Sequence, residues 1–134
     1  MPLKVEVVTP ERRLVEVDAD EVIAPGADGL FGVRPGHTPY LAVLAPGQLT
    51  VKEGGGVEKR FFVAGGFCEV GDDTVRVLAD VCEPLEGIDV AQAQKAVGDA
   101  EAKLAQLSPS VAAYALQQDA VKKAQIRYTL ASKR

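Results

Sequence analysis

The chain has one histidine, His37, and it lies in the run "GLFGVRPGHTPYL" (residues 29–41) among three glycines and two prolines. Imidazole is the side chain whose ordinary pKa lies nearest neutrality, so His37 is the first candidate for acid–base work. A hydrolytic reading would pair it with a nucleophile, and the thiols are Cys68 and Cys82. In the alternating segment around Cys68, Phe67 and Glu69 share the opposite face, which reads as a small buried residue filling a core and not as a nucleophile. The two cysteines are fourteen residues apart, a spacing that fits no metal-ligand pair, and one histidine cannot complete a His-rich site, so no metal is expected. The start of the chain alternates like a strand and lacks the blocks of a signal peptide, so a cytoplasmic chain with both thiols reduced is expected.

The glycines of "GADGLFG" (residues 26–32) invite a phosphate-binding test. They fail it, because the spacing is G-x-x-G-x-x-G, no Lys-Ser/Thr pair follows, and the next stretch is extended. Three readings of the loop then stand side by side: a catalytic histidine, a purely structural turn, and a turn that also forms an interface. Gly29, Gly32 and Gly36 permit positive φ and close approach to a partner, while Pro35 and Pro39 stiffen the backbone. The docking reading is the favoured one.

Two kinds of element must carry this loop. A length of 134 residues suits one domain or a small domain with an appendage, and 47% hydrophobic with 25% charged residues is ordinary for a globular chain. No apolar run approaches a bilayer span. The net charge of −4 and the lack of a basic-aromatic pattern argue against nucleic acid. The charge is uneven: residues 1–88 hold 15 acidic and 8 basic groups, net −7, whereas residues 89–134 hold 4 and 7, net +3.

The hydrophobic period changes at the same place. Up to Val81 the apolar residues alternate in short runs (Leu3, Val5, Val7; Leu49, Val51; Val75, Val77, Ala79) separated by Gly- and Pro-rich turns, the pattern of a β-sandwich or barrel. Nine strands are predicted, near 3–8, 12–17, 20–24, 30–33, 40–44, 47–53, 57–64, 66–70 and 74–80, so a sandwich of about nine to ten strands over residues 1–84. Residues 85–88 read as a linker, and 89–134 as an antiparallel two-helix hairpin. Asp89 is the expected N-cap of the first helix, with Gln92 as its capping-box partner and Ile88 stapling onto Ala93. Its apolar seam runs Val90, Ala93, Val97, Ala100, Leu104, Leu107. Ser108 is expected to cap a second helix whose first residue is Pro109, and the return seam is Tyr114, Gln117, Val121, Ala124, Tyr128, Ala131. Four of these twelve positions are Ala and one is Gln, so a weakly docked, movable arm is expected.

At this point the residues carry a family resemblance. "GLFGVRPGHTPYL", then "APGQLTV" (45–51), "VAGGFCEV" (63–70), "TVRVLAD" (74–80) and an Ala-rich hairpin together resemble the ε subunit of bacterial rotary ATP synthases, over essentially the whole chain. The most specific part is Pro35-Gly36-His37-Thr38-Pro39 in fixed order with Gly65-Gly66-Phe67-Cys68-Glu69-Val70. The resemblance implies a non-catalytic subunit of a proton-translocating synthase, peripheral at the cytoplasmic face of the cell membrane without inserting into it. Its sandwich would link the γ subunit to the c ring, and its hairpin would reach the α and β subunits transiently and restrain ATP hydrolysis. The implied docking residues are Gly29, Leu30, Phe31, Gly32, Pro35, Gly36, His37 and Pro39. Those implied for contact with an acidic segment of the catalytic head are Lys122, Lys123 and Arg127, within a basic tail that also holds Lys133 and Arg134.

Two departures from the family pattern matter. Many relatives carry an acidic residue where this chain has Leu30; either Asp28 substitutes, or Leu30 and Phe31 make an apolar contact, or both residues cap the core. An ATP-binding motif, Ile-Asp-x-x-Arg-Ala, falls on Ala112–Gln117, where its Asp and Arg positions hold Ala113 and Leu116, so no cofactor is expected. A nucleotide-sensing β-sandwich module remains the alternative function.

Overall fold

A computed structural model describes residues 2–133; Arg134, the last of the basic tail, lies outside the described residues. The chain divides into two compact units, Met1–Pro84 and Leu85–Arg134. In the first, alternation sets the pattern from the outset. Strand β1 (Leu3–Val8) buries Leu3, Val5 and Val7 and turns Lys4 and Glu6 away from the core. It lies between β2 (Arg13–Ala19), antiparallel, and β8 (Thr74–Pro84), parallel, with Val5 opposite both Val17 and Val75.

The remaining strands are β3 (Glu21–Gly26), β4 (Gly29–Val33), β5 (Tyr40–Val43), β6 (Gly47–Lys52) and β7 (Glu58–Gly71). Their order is β2-β1-β8-β7-β6-β3-β4, and β5 pairs with β7 outside that path. The first half of β7 pairs with β6, its second half with β5, and β8 follows it along both halves. Two long strands therefore serve both layers of a β-sandwich. Between the layers lies a core that includes Leu3, Val5, Val7, Val22, Val33, Leu49, Val51, Val63, Cys68, Val75 and Val77. Burying a side chain of this size contributes about 1.5–3 kcal/mol, which makes this cluster the main source of cohesion in the unit.

The strand count corrects the expectation of nine to ten, since eight continuous strands are present among the described residues. The segments expected at 57–64 and 66–70 are one strand. Gly65 (φ 75°) and Gly66 (φ 104°) bend the backbone without ending the ladder, which is paired on either side at Ala64–Val81 and Gly66–Ala79. Strand β8 also absorbs Glu83 and Pro84, which compose like a linker; Pro84 sits at the strand's end, opposite Phe61.

The second unit starts with a single 3-10 turn, Leu85–Gly87, and Leu85 and Ile88 are buried. Helix α1 (Val90–Ala105) is capped by Asp89, whose carboxylate accepts from Gln92 N at 3.0 Å. The reciprocal half of the expected capping box is replaced, because the Gln92 side chain accepts from Arg127 of the second helix at 3.0 Å. Helix α2 (Ala112–Lys133) begins three residues later than expected. Pro109 is not its first residue. Ser108 instead closes a turn, its carbonyl accepting from Val111 N at 3.1 Å and its hydroxyl meeting Ser110 Oγ at 2.9 Å. All twelve seam positions are buried or half-buried, with Ala93 and Ala131 fully so. Gln117 strengthens the seam by donating to the Ala100 carbonyl at 3.0 Å.

Candidate docking interface

The loop that carries His37 is built from a tight turn between two anchored strands. Arg34, Pro35, Gly36 and His37 form a turn in which His37 N donates to the Arg34 carbonyl at 3.1 Å and Gly36 takes φ 86°. Proline second and a positive-φ glycine third is the pattern of a type II turn. Arg34 is held from its side chain, Nε donating to Glu21 Oε2 at 3.2 Å. Beyond the turn, His37 Nδ1 lies 2.6 Å from the Thr38 carbonyl, and Tyr40 enters β5 opposite Val70. Tyr40 meets Phe31 edge to face, centroids 5.3 Å apart.

Leu30 and Phe31, expected to act together, are separated by the fold. Leu30 is 73% exposed, whereas Phe31 is half-buried and packs against the core cluster. Gly29, Gly32, Pro35, Gly36 and Pro39 are all exposed, and His37 is half-buried beside Tyr40. The loop thus presents a stiff backbone and one projecting aliphatic side chain.

Sequence reasoning missed a second feature that continues directly from the loop through β5. Val43 pairs with Phe67, and Phe67 pairs with Leu78; one step along, Leu41 pairs with Glu69, and Glu69 with Arg76. These residues point outward, opposite the buried row Ala42, Cys68, Val77. Leu41 is 65% exposed, Val43 54%, Phe67 50% and Leu78 41%. Val43, Phe67 and Leu78 lie in register across three strands, and with Leu41 two residues along β5 they form an exposed patch with Glu69 and Arg76 at its border; such patches mark contact surfaces. The available signal was the outward position of Phe67, fixed once Cys68 is placed inside.

In the hairpin, Lys122 is exposed, Lys123 Nζ pairs with Asp119 Oδ2 at 2.9 Å one turn away, and Arg127 Nη1 donates to Gln92 of α1. The three cations are therefore in different situations, one projecting and two engaged within the hairpin.

The family described as "ATP synthase, Delta/Epsilon chain, beta-sandwich domain" matches residues 2–85. The ATP synthase epsilon chain of Myxococcus xanthus is 51% identical over 121 residues, covering 90% of this chain and 88% of the relative. The chain belongs to the ATP synthase epsilon chain family. A second epsilon chain, from Anaeromyxobacter dehalogenans, is 44% identical over 99% of this chain and all of the relative. Among solved structures, a chain of the Euglena gracilis mitochondrial ATP synthase, in a structure of OSCP, F1 and the c-ring, superposes with a TM-score of 0.81 at 27% identity, covering 93% of this chain and 78% of that one.

The thiols of this epsilon-family chain are in no state to act as nucleophiles. Cys68 is fully buried and its pKa is raised by that burial to about 11; Cys82 is pushed up to about 12, by burial and then by the charge of Glu83. Both are free. Cys68 is expected to resist a thiol reagent at pH 8 until the chain is unfolded in urea, as a colorimetric thiol titration would show. The folded chain keeps the Cys68 proton where the unfolded thiol, with an ordinary pKa of 9.0, has lost it, so stability should fall as pH rises from about 9 toward 11. Among the described residues no group of three His, Cys, Asp or Glu side chains is placed to hold a metal ion, and no helix is long and apolar enough to cross a membrane.

Proposed function

We propose that this chain is the non-catalytic ε subunit of a rotary, proton-translocating ATP synthase, and that its sandwich links the γ subunit to the c ring. The observation that carries the reading is the exposed apolar patch of Leu41, Val43, Phe67 and Leu78, contiguous through β5 with the stiff loop at residues 29–39. A sandwich whose core is already full has no internal use for four such side chains, and burial against a partner removes them from water. The apolar row suits a broad protein face, and Leu30 with the glycine-rich loop suits a close backbone approach; we assign the first to γ and the second to the c ring. The subunit would then sit peripherally at the cytoplasmic face of the cell membrane. It takes no nucleotide of its own in this reading, since Ala113 and Leu116, the latter 76% exposed, offer no charged or polar group to a phosphate or ribose.

The hairpin, reaching the α and β subunits transiently, is assigned the restraint of ATP hydrolysis, through Lys122, Lys123 and Arg127 against an acidic segment of the catalytic β subunits. Two of these cations already hold partners in the hairpin, so contact with the head exchanges one set of polar partners for another. Such an exchange costs little and reverses easily. Truncation after Gly87 should leave the sandwich on the rotor and raise steady-state ATP hydrolysis by the reconstituted head several-fold. Changing the three cations to Glu should have the same direction of effect, and moderate salt should weaken the inhibition by the intact chain. Equal hydrolysis rates with intact and truncated protein would contradict the assignment.

A further inference from the structure

The turn between β7 and β8 has a feature that its own geometry does not require. Asp72 (φ 49°) and Asp73 (φ 54°) both occupy the left-handed region, as the two central residues of a tight hairpin do. Glycine or asparagine at the second of these positions would serve the turn at least as well as aspartate. Asp73, however, reaches out of the turn. Its Oδ1 accepts from Gly36 N at 2.6 Å, a bond spanning 37 residues of sequence. Its carbonyl accepts from Lys4 N at 2.8 Å, which ties the same residue to the start of β1.

The donor is well chosen. In a type II turn the amide of the third residue is not used by the turn's own bond, which here runs from His37 N to the Arg34 carbonyl. Gly36 N is therefore available, and a carboxylate makes the stronger, charge-assisted kind of bond to it. The loop is anchored before the turn by Arg34 on Glu21, and after it by Tyr40 paired with Val70. Asp73 holds the midpoint between these anchors.

We propose that Asp73 is the positioning residue of the docking loop, fixing the Pro35–Gly36 turn against the sheet end in the geometry its partner meets. This rests on the docking reading given above. A side chain that merely served its own turn would make a different prediction, and two variants of the full chain separate the possibilities. Asp73→Asn and Asp73→Gly both suit the left-handed backbone and both remove the charge, but only the first keeps an oxygen that can accept from Gly36 N.

In Asp73→Gly the thermal midpoint should change little, because relief of the left-handed backbone at φ 54° offsets the lost bond, while hydrogen-exchange protection of the Gly36 amide falls about tenfold. Affinity for a γ–c ring subcomplex should fall about fivefold, the effect of one surface hydrogen bond that orders a loop. Asp73→Asn should restore most of the protection and most of the affinity. Undiminished Gly36 protection in Asp73→Gly overturns the positioning role, whatever the affinity does. Lost protection with unchanged affinity upholds the latch and overturns the docking reading on which its use depends.

Discussion

Gly66→Ala should destabilise the sandwich by about 3–5 kcal/mol, combining roughly 1–3 kcal/mol of backbone strain with a steric cost of similar size. Gly66 has φ 104°, a conformation that side chains rarely adopt, and a Cβ there would run into the Leu78 carbonyl oxygen, with Ala79 Cα 2.9 Å away. The obstructing atoms are backbone of β8, held by the ladder on both sides of the bend, so they cannot swing aside. Gly65 provides the comparison. Its φ of 75° is also positive, but its Cβ would meet the carboxylate of Asp80, an exposed side chain that can rotate away. Gly65→Ala should therefore cost only about 1–2 kcal/mol. Urea midpoints of the two variants, at unchanged slope, measure the difference, and equal midpoints would mean that the bend does not depend on Gly66.

The second large effect concerns association and not folding. Phe67→Lys should weaken binding to the γ subunit about a hundredfold or more while changing stability by less than about 1 kcal/mol. Phe67 is central in the exposed row, opposite Val43 on one side and Leu78 on the other. A residue enclosed by other apolar contact residues is the one whose loss costs most, because a buried ammonium in its place would have to be desolvated. In the free chain the same lysine is harmless: half of the Phe67 side is already in water, and Glu69 lies two residues along on the same face as a counter-charge. Calorimetric titration with γ, beside a thermal melt, separates the two quantities.

The parts of the fold that rest on a local period could be read from the sequence. Alternation placed β1 and the buried Cys68, and the three-four spacing from Val90 to Ala131 found the helical seam, because each signal depends on neighbours within a turn or two. Gly65-Gly66 misled because a glycine pair signals a break by composition, whereas two positive-φ residues can also bend a strand that stays paired. The start of α2 was misplaced for a related reason. Ser-Pro suits a helix start in general, and here Ser108 spends its hydroxyl and carbonyl on the preceding turn.

The site divides in the same way. The glycine and proline positions of the loop were legible, since backbone freedom and stiffness are intrinsic to those residues. The outward row was not, because Tyr40-Leu41-Ala42-Val43 is apolar throughout and only the pairing with β7 shows that Leu41 and Val43 face out. The Asp73–Gly36 bond joins residues that the sheet brings together, and no local pattern contains it.

The most direct test is capture of the chain from detergent-solubilised membranes of its own organism, in parent and Phe67→Lys forms, with γ and c subunits quantified in the captured material. Stoichiometric γ and c are expected with the parent chain and their loss with Phe67→Lys, although the thermal midpoints of the two purified chains differ by only a few degrees. Capture of γ and c undiminished by the substitution would contradict the assignment of the Leu41, Val43, Phe67, Leu78 face to the rotor, and their absence from the parent's captured material would contradict the rotor function altogether.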